Sequence, residues 1–344
     1  MAGKRGNGEG SVYQRKSDGR WIAALIMEDG KRVTRTAKTR AEAVRRLDAL
    51  KRARADRLPV TADQSVAVFL QEWLETARSA VGAGTYERYE QYVRVHAVPV
   101  LGRLRLGRAT PQHFQALYRE KLAAGLSPTT VNHLHTVLHT AFAQAVRWGL
   151  VSRNVVALAR PPRKVHVEVV ALTAEQARTL LACAAGHRFE ALFVLALKTG
   201  MRRGELLALH WKDVDLEAGV LQVRGTLRRT RAGLAIGTPK TASARRKVAL
   251  SAGSVVALRQ HRARQDEERR RLGDGWQDFG LVFPNRLGRP MEPRDFLFSQ
   301  FRPLLVAAGL PPITFHALRH TAATLLLGQG EHPKVVQELL GTRR

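Results

Sequence analysis

The sequence predicts a multidomain protein: a small α+β module, an all-α domain, and a mixed α/β domain that is mostly helix. Three observations support this. A chain of 344 residues is longer than one hydrophobic core commonly organises. Short strand-like runs fill the first 58 residues, and helical periodicity takes over after residue 62. The tandem prolines Pro161 and Pro162, with charges around them, then interrupt the helices. The expected parts are 1–58, 62–160, an extended and mobile linker over 161–167, and 168–344.

In the first part, Asp18-Gly19 and Asp29-Gly30 are turn signals between short strands. The run from Trp21 to Met27 reads as a central strand. A helix follows with Thr39 as its cap and Ala43, Leu47 and Leu50 on one face. Residues 1–58 hold 16 Lys/Arg and 7 Asp/Glu, a surplus of 9. This is either a DNA-contacting arm or a basic surface on a structural module.

The second part reads as helix throughout. Val66, Phe69, Leu70, Trp73, Leu74 and Ala77 form one stripe, and Tyr86, Tyr89 and Val93 another. Thr110-Pro111 and Ser127-Pro128 open two further helices, which Gly125 and Gly149 close. The tyrosines at helical spacing read as core residues. His133, His135 and His139 invite a metal reading, but no glutamate completes a metalloprotease motif, and a polar helix face near DNA is preferred.

The third part opens on a Thr173–Gln176 capping box. "RFEALFVLALKTG" reads as a buried helix ended by Gly200, and residues 218–250 as one small antiparallel sheet with basic turns. Helices return at Ser254 and again from Phe315.

Composition narrows the function classes. No apolar run approaches the ~20 residues of a membrane span. "MAGKRGNGEG" lacks the apolar stretch of a secretory signal. The single cysteine, Cys183 in the apolar-looking "LLACAA", excludes an intrachain disulfide and suits a reducing cytoplasm. The net charge of +28 calls for a polyanion as partner, and nucleic acid is the natural one. A GC-rich genome would inflate arginine, yet it would not explain the shortage of acids.

Three segments carry candidate chemistry. In "TGMRRGELLAL", Arg202 sits between two helices, and Glu205 can fix its guanidinium plane. In "GTPKTASARRKVAL", Lys240 is expected in the turn of a hairpin. In "FHALRHT", His316 and Arg319 share a helix face. Two guanidinium forks can hold the non-bridging oxygens of an attacked phosphate. A lysine can protonate a departing sugar oxygen, and a histidine can relay a proton. Such a site requires no metal and no cofactor.

Together and in this order, these motifs closely resemble the tyrosine recombinase (phage integrase) family. The run "HALRHTAATLLLGQGEHPKVVQELLG" carries the resemblance on, and "SPTTVNHLHTVLHTAFAQAVRWGLVSRN" looks like the family's core-binding domain. The N-terminal sheet looks like the arm-binding module of many integrases. The resemblance implies a C-shaped clamp on DNA, with a hinge between its domains. Arg202 and Arg319 would hold the scissile phosphate, with Glu205 supporting Arg202. Lys240 would be the general acid, and His316 would assist proton transfer. Implied partners are double-stranded attachment sites, a homotetramer on DNA, and an accessory directionality or DNA-bending protein, with no membrane. The implied location is the cytoplasm, on the nucleoid when bound.

The family expects a second His or Trp after "LLG", then a nucleophilic tyrosine. Here Gly341 is followed by Thr342, Arg343 and Arg344, and the five tyrosines (Tyr13, Tyr86, Tyr89, Tyr92, Tyr118) all lie before the third part. The chain therefore reads as a C-terminally truncated member that cannot cleave in cis. Deleting one cytosine from a gene for Gly-His-Ser-Ser-Met-Thr yields Gly-Thr-Arg-Arg-stop, so a frameshift is one origin; a cloning boundary or a natural short form are the others. Two functions stay open: a site-specific recombinase or integrase of a mobile element, needing a tyrosine in trans, or a non-catalytic protein that occupies attachment sites. An RNA-binding protein is a third, supported by charge alone.

Overall fold

The structure is a computed structural model that describes residues 10–26, 32–55, 64–164, 170–231, 233–238 and 245–341. The chain divides into two compact units, Met1–His166 and Val167–Arg344.

In the first unit, β1 (Ser11–Gln14), β2 (Trp21–Ile26) and β3 (Arg32–Ala37) form an antiparallel sheet with β2 in the centre. Gly19 takes the left-handed turn between β1 and β2 (φ 67°). The second expected turn, at Asp29-Gly30, lies outside the described residues. Helix α1 (Arg40–Ala55) packs on the sheet. The Glu42 backbone N–H donates to the Thr39 hydroxyl at its start. Ala43, Leu47 and Leu50 meet Ala23, Leu25 and Ala37 in a small core.

Helices α2 (Val66–Ala80), α3 (Ala83–Gln91), α4 (Val98–Leu101), α5 (Pro111–Ala123) and α6 (Pro128–Arg147) enclose the second core. All six residues of the α2 stripe are buried there. Between α3 and α4 the backbone widens into a π-helical stretch, Tyr92–Ala97, where the Val98 N–H reaches back five residues to Val93. Pro99 follows and has no N–H to donate, so the register widens where a regular α-bond would be lost. Tyr118 is buried and shares a 2.9 Å hydrogen bond with His135 Nδ1. Burial lowers the His135 pKa, and neighbouring His139 adds to this. His133 lies beside Tyr92, with ring centroids 6.4 Å apart.

The expected mobile linker is held at its start. Gln115 Nε2 donates to the Arg160 carbonyl (2.8 Å) and Asn132 Nδ2 to that of Pro162. Proline spacing could not show that α5 and α6 carry amides to receive those carbonyls.

The second unit begins with α7 (Ala174–Cys183), capped reciprocally by Thr173 and Gln176, and the buried α8 (Glu190–Thr199). Helix α9 (Arg203–Leu207) is short. The region expected as one sheet is two. Strands β4 (Val214–Asp215), β5 (Val220–Val223) and β8 (Arg246–Ala249) make one; β6 (Thr226–Thr230) and β7 (Gly233–Gly237) make the other. Helix α10 (Ala252–Leu272) follows, then α11 (Pro293–Phe296), a second π-helical stretch (Leu297–Phe301) and α12 (Arg302–Ala307). Helices α13 (Phe315–Gly328) and α14 (Pro333–Leu340) end the described fold. The core gathers around Phe189, Phe193, Phe296, Phe301 and Phe315, all buried. Cys183 is exposed, although its neighbours are apolar, and its Sγ lies 3.9 Å from the Ala307 carbonyl at the end of α12.

Candidate active site

The site is assembled from α8, α9, β8, α13 and α14. Helix α8 ends on Gly200 in the left-handed conformation (φ 60°). A Cβ there would come within 2.3 Å of Leu340 Cδ2, so both conformation and contact require glycine. The turn delivers Arg202 to the start of α9. Its Nη1 donates to Glu205 Oε1 at 2.8 Å, and its backbone N–H to Oε2 at 3.1 Å. Gly204 lets β6 lie close, since a Cβ would sit 2.5 Å from Thr226 Oγ1.

Glu205 is buried and also receives Arg246 Nη2 at 3.1 Å. Arg246 Nε donates to the Leu339 carbonyl at 2.6 Å. Arg319 is buried on α13, with Nη1 on the Gly200 carbonyl (2.8 Å) and Nη2 on that of Leu340 (2.5 Å). Three guanidiniums thus surround one carboxylate. Burial pushes the Glu205 pKa up, but the charge of Arg246 and the hydrogen bonds from Arg202 and Arg246 outweigh it, and Glu205 stays an anion. Burial, then the charge of Arg202, draws Arg319 down to about 10, still a cation at neutral pH.

A cleft of about 920 Å³ opens on this cluster. Arg202, Arg203, His316 and Arg319 line it, and Leu297, Phe301 and Leu305 supply apolar wall. Partial burial, then His320, Arg319 and Arg202, hold the His316 pKa below its ordinary value. The imidazole is therefore neutral at pH 7 and able to take a proton. The arrangement can hold an oxyanion on arginines whose other donors are already fixed, next to a base.

Comparison with known proteins identifies the lineage. The model of the phage integrase family matches residues 171–344, and that of the phage integrase N-terminal SAM-like domain matches 66–123. The chain belongs to the phage integrase family. Relatives of this family member include the tyrosine recombinase XerC-like protein of Caldanaerobacter subterraneus subsp. tengcongensis. It is 30% identical over 299 residues, covering 81% of this chain and 76% of that one. An integrase of Streptomyces ambofaciens is 30% identical over 356 aligned positions, covering 99% and 91%. Among solved structures, the Tn1549 transposon integrase with transposon right end DNA superposes with a TM-score of 0.71 at 24% identity, covering 82% of this chain and 92% of that one. The lambda integrase tetramer on a Holliday junction gives 0.62 at 19%, covering 97% and 95%. These two likenesses are of fold.

Of the residues singled out in this phage integrase family member, Arg202, Glu205, His316 and Arg319 lie together in the second unit. Lys240 falls outside the described residues. The hairpin expected of its flanking strands is corrected: β7 pairs with β6, and β8 with β5. Arg246 was missed. It is one arginine of the pair in "ARRKVAL", and only the alternation along β8 turns it inward. No group of three potential metal ligands occurs among the described residues.

Proposed function

We propose that this chain is the DNA-engaging integrase of a mobile element. Arg202 and Arg319 hold the scissile phosphate, Glu205 orients Arg202, His316 moves a proton, and Lys240 protonates the leaving 5′-oxygen. The observation that carries this is the pair of anchored guanidiniums opening, with a neutral histidine, into one cleft. Three arginines and one glutamate leave a net charge of about +2, matched to the charge gathering on an attacked phosphate. The two units bind duplex attachment sites, and several protomers assemble on DNA.

No tyrosine lies between residues 119 and 344, so none belongs to the unit that builds the cleft. The residues that build the cleft thus supply groups to hold a phosphate and move a proton, and the tyrosine nucleophile must come from elsewhere. A second reading, a protein that occupies attachment sites and interferes with an intact integrase, needs the same DNA contacts and no nucleophile.

The test is a nicked suicide duplex containing a site selected by the chain from a random pool. The expected result is retarded but uncoupled DNA, with a covalent adduct only when a tyrosine-bearing relative is added. Binding should weaken linearly in log–log with salt as counterions are released. An adduct with the chain alone would refute the non-covalent reading, and salt-independent affinity would refute both.

A further inference from the structure

The carbonyls at the end of a helix have no partner within it and are ordinarily met by solvent or by a cap. At the end of α14 the Gly341 N–H meets the Gln337 and Glu338 carbonyls, and two arginines of the site meet the next two. Leu339 O accepts from Arg246, which also holds Glu205; Leu340 O accepts from Arg319, which also holds Gly200. The Leu340 side chain closes the same joint by packing where Gly200 has no Cβ. Each guanidinium thus has one hand on the end of α14; the other hand of Arg319 is on the loop that presents Arg202, and that of Arg246 is on Glu205 of α9, which holds Arg202.

From this we propose that Arg246 is a positioning residue that makes the phosphate grip depend on the seating of α14. It touches no phosphate itself. It sets the plane of Glu205, which sets the plane of Arg202, and its hold on Leu339 is released when α14 leaves its seat. With α14 seated, Glu205 has both guanidiniums and Arg202 is fixed. With α14 displaced, Arg246 loses an anchor and Arg202 regains rotational freedom. The inference rests on the reading that Arg202 and Arg319 hold a phosphate.

The test needs no cleavage. Neutral methylphosphonates replace the phosphates, one at a time, in a duplex that the full chain selects from a random pool, and affinity is measured at each position. For the unsubstituted chain, one position per half-site should stand out with a penalty on the order of ten- to a hundred-fold, the worth of charge-assisted hydrogen bonds. Arg202→Ala should erase that peak. Arg246→Ala should flatten it to about threefold or less, with affinity for the unmodified duplex falling by the same factor as the peak. Arg246→Lys keeps the charge but not the fork that spans Glu205 and Leu339, and should lie between.

Leu340→Ala, which loosens the seat, should reduce the peak in the unsubstituted chain and add little to Arg246→Ala; that non-additivity distinguishes positioning from general support. Thermal unfolding accompanies each variant, and where Arg246→Ala does not fold, Arg246→Lys carries the test. A flat scan for the unsubstituted chain would overturn the phosphate-site reading and the inference with it. A peak that Arg202→Ala erases but the Arg246 variants leave intact would overturn the inference alone.

Discussion

The helical core of α2–α6 and the heart of the second unit are both closely packed, but they bury different things. Around Phe69, Phe114 and Phe142 the helices enclose apolar side chains, with the Tyr118 hydroxyl satisfied by His135. The buried side chains that are polar or charged, among the described residues, all fall between Thr199 and Thr321. They include Glu205, His261 and Arg319. Burying charge costs several kcal/mol per ion before its partners offset the loss. The first region buries no charge, whereas the second accepts that cost at Glu205 and Arg319, beside the cleft. On the proposed function, the difference falls where the phosphate is held.

The comparison breaks most readily at its apolar side. Phe142→Ala should cost about 3–5 kcal/mol in urea unfolding of the first unit, with the position of the methylphosphonate peak unchanged. A shift of that peak would mean that the two regions are not separate in purpose. Next is Glu205→Gln, which leaves Arg246 and Arg202 facing a neutral amide. It should cost roughly 3 kcal/mol, since it breaks a buried ion pair from one side, and should weaken the methylphosphonate penalty as well. A stability loss with the penalty intact would assign Glu205 to the scaffold.

His261 sharpens the comparison through pH. Its Nε2–H donates to the Val282 carbonyl at 2.6 Å, and burial holds its pKa at about 4 against an ordinary 6.5. The unfolded chain therefore binds this proton more readily, so stability is full above about pH 6.5 and is lost as pH falls toward 4. The difference corresponds to roughly 3 kcal/mol. His261→Gln, which can still donate to Val282, should flatten that part of the unfolding profile; an unchanged slope would place the acid sensitivity elsewhere. The smallest effect belongs to the exposed pair Arg259–Glu217, 2.7 Å apart. Arg259→Ala should change stability by less than about 0.5 kcal/mol, and a larger loss would show that surface charge also shapes the fold.

Local signals were legible in the sequence because each is confined to one turn. Thr173 with Gln176, Ser127 before Pro128, and the α2 stripe lie where periodicity and capping place them. The same holds for the grouping of Arg202 with Glu205, three residues apart. Features set by distant partners were not legible. Strand β5 pairs with β8 across two intervening strands, so one apparent sheet became two. Arg246 is one of 57 Lys/Arg, and nothing local distinguishes a guanidinium that reaches Leu339 from one in solvent. The burial of Arg319 was hidden for the same reason: its acceptors are 119 and 21 residues away. The π-helical turns at Tyr92 and Leu297 left no mark in apolar spacing.

With a single cysteine, this chain has no covalent means of fastening α14 to the rest of its unit. Two guanidiniums on the Leu339 and Leu340 carbonyls do it instead. A clasp of hydrogen bonds opens on the microsecond-to-second scale of local unfolding, whereas disulfide exchange takes minutes to hours. The end of α14 is thus held reversibly, with no covalent bond to exchange before it can leave its seat.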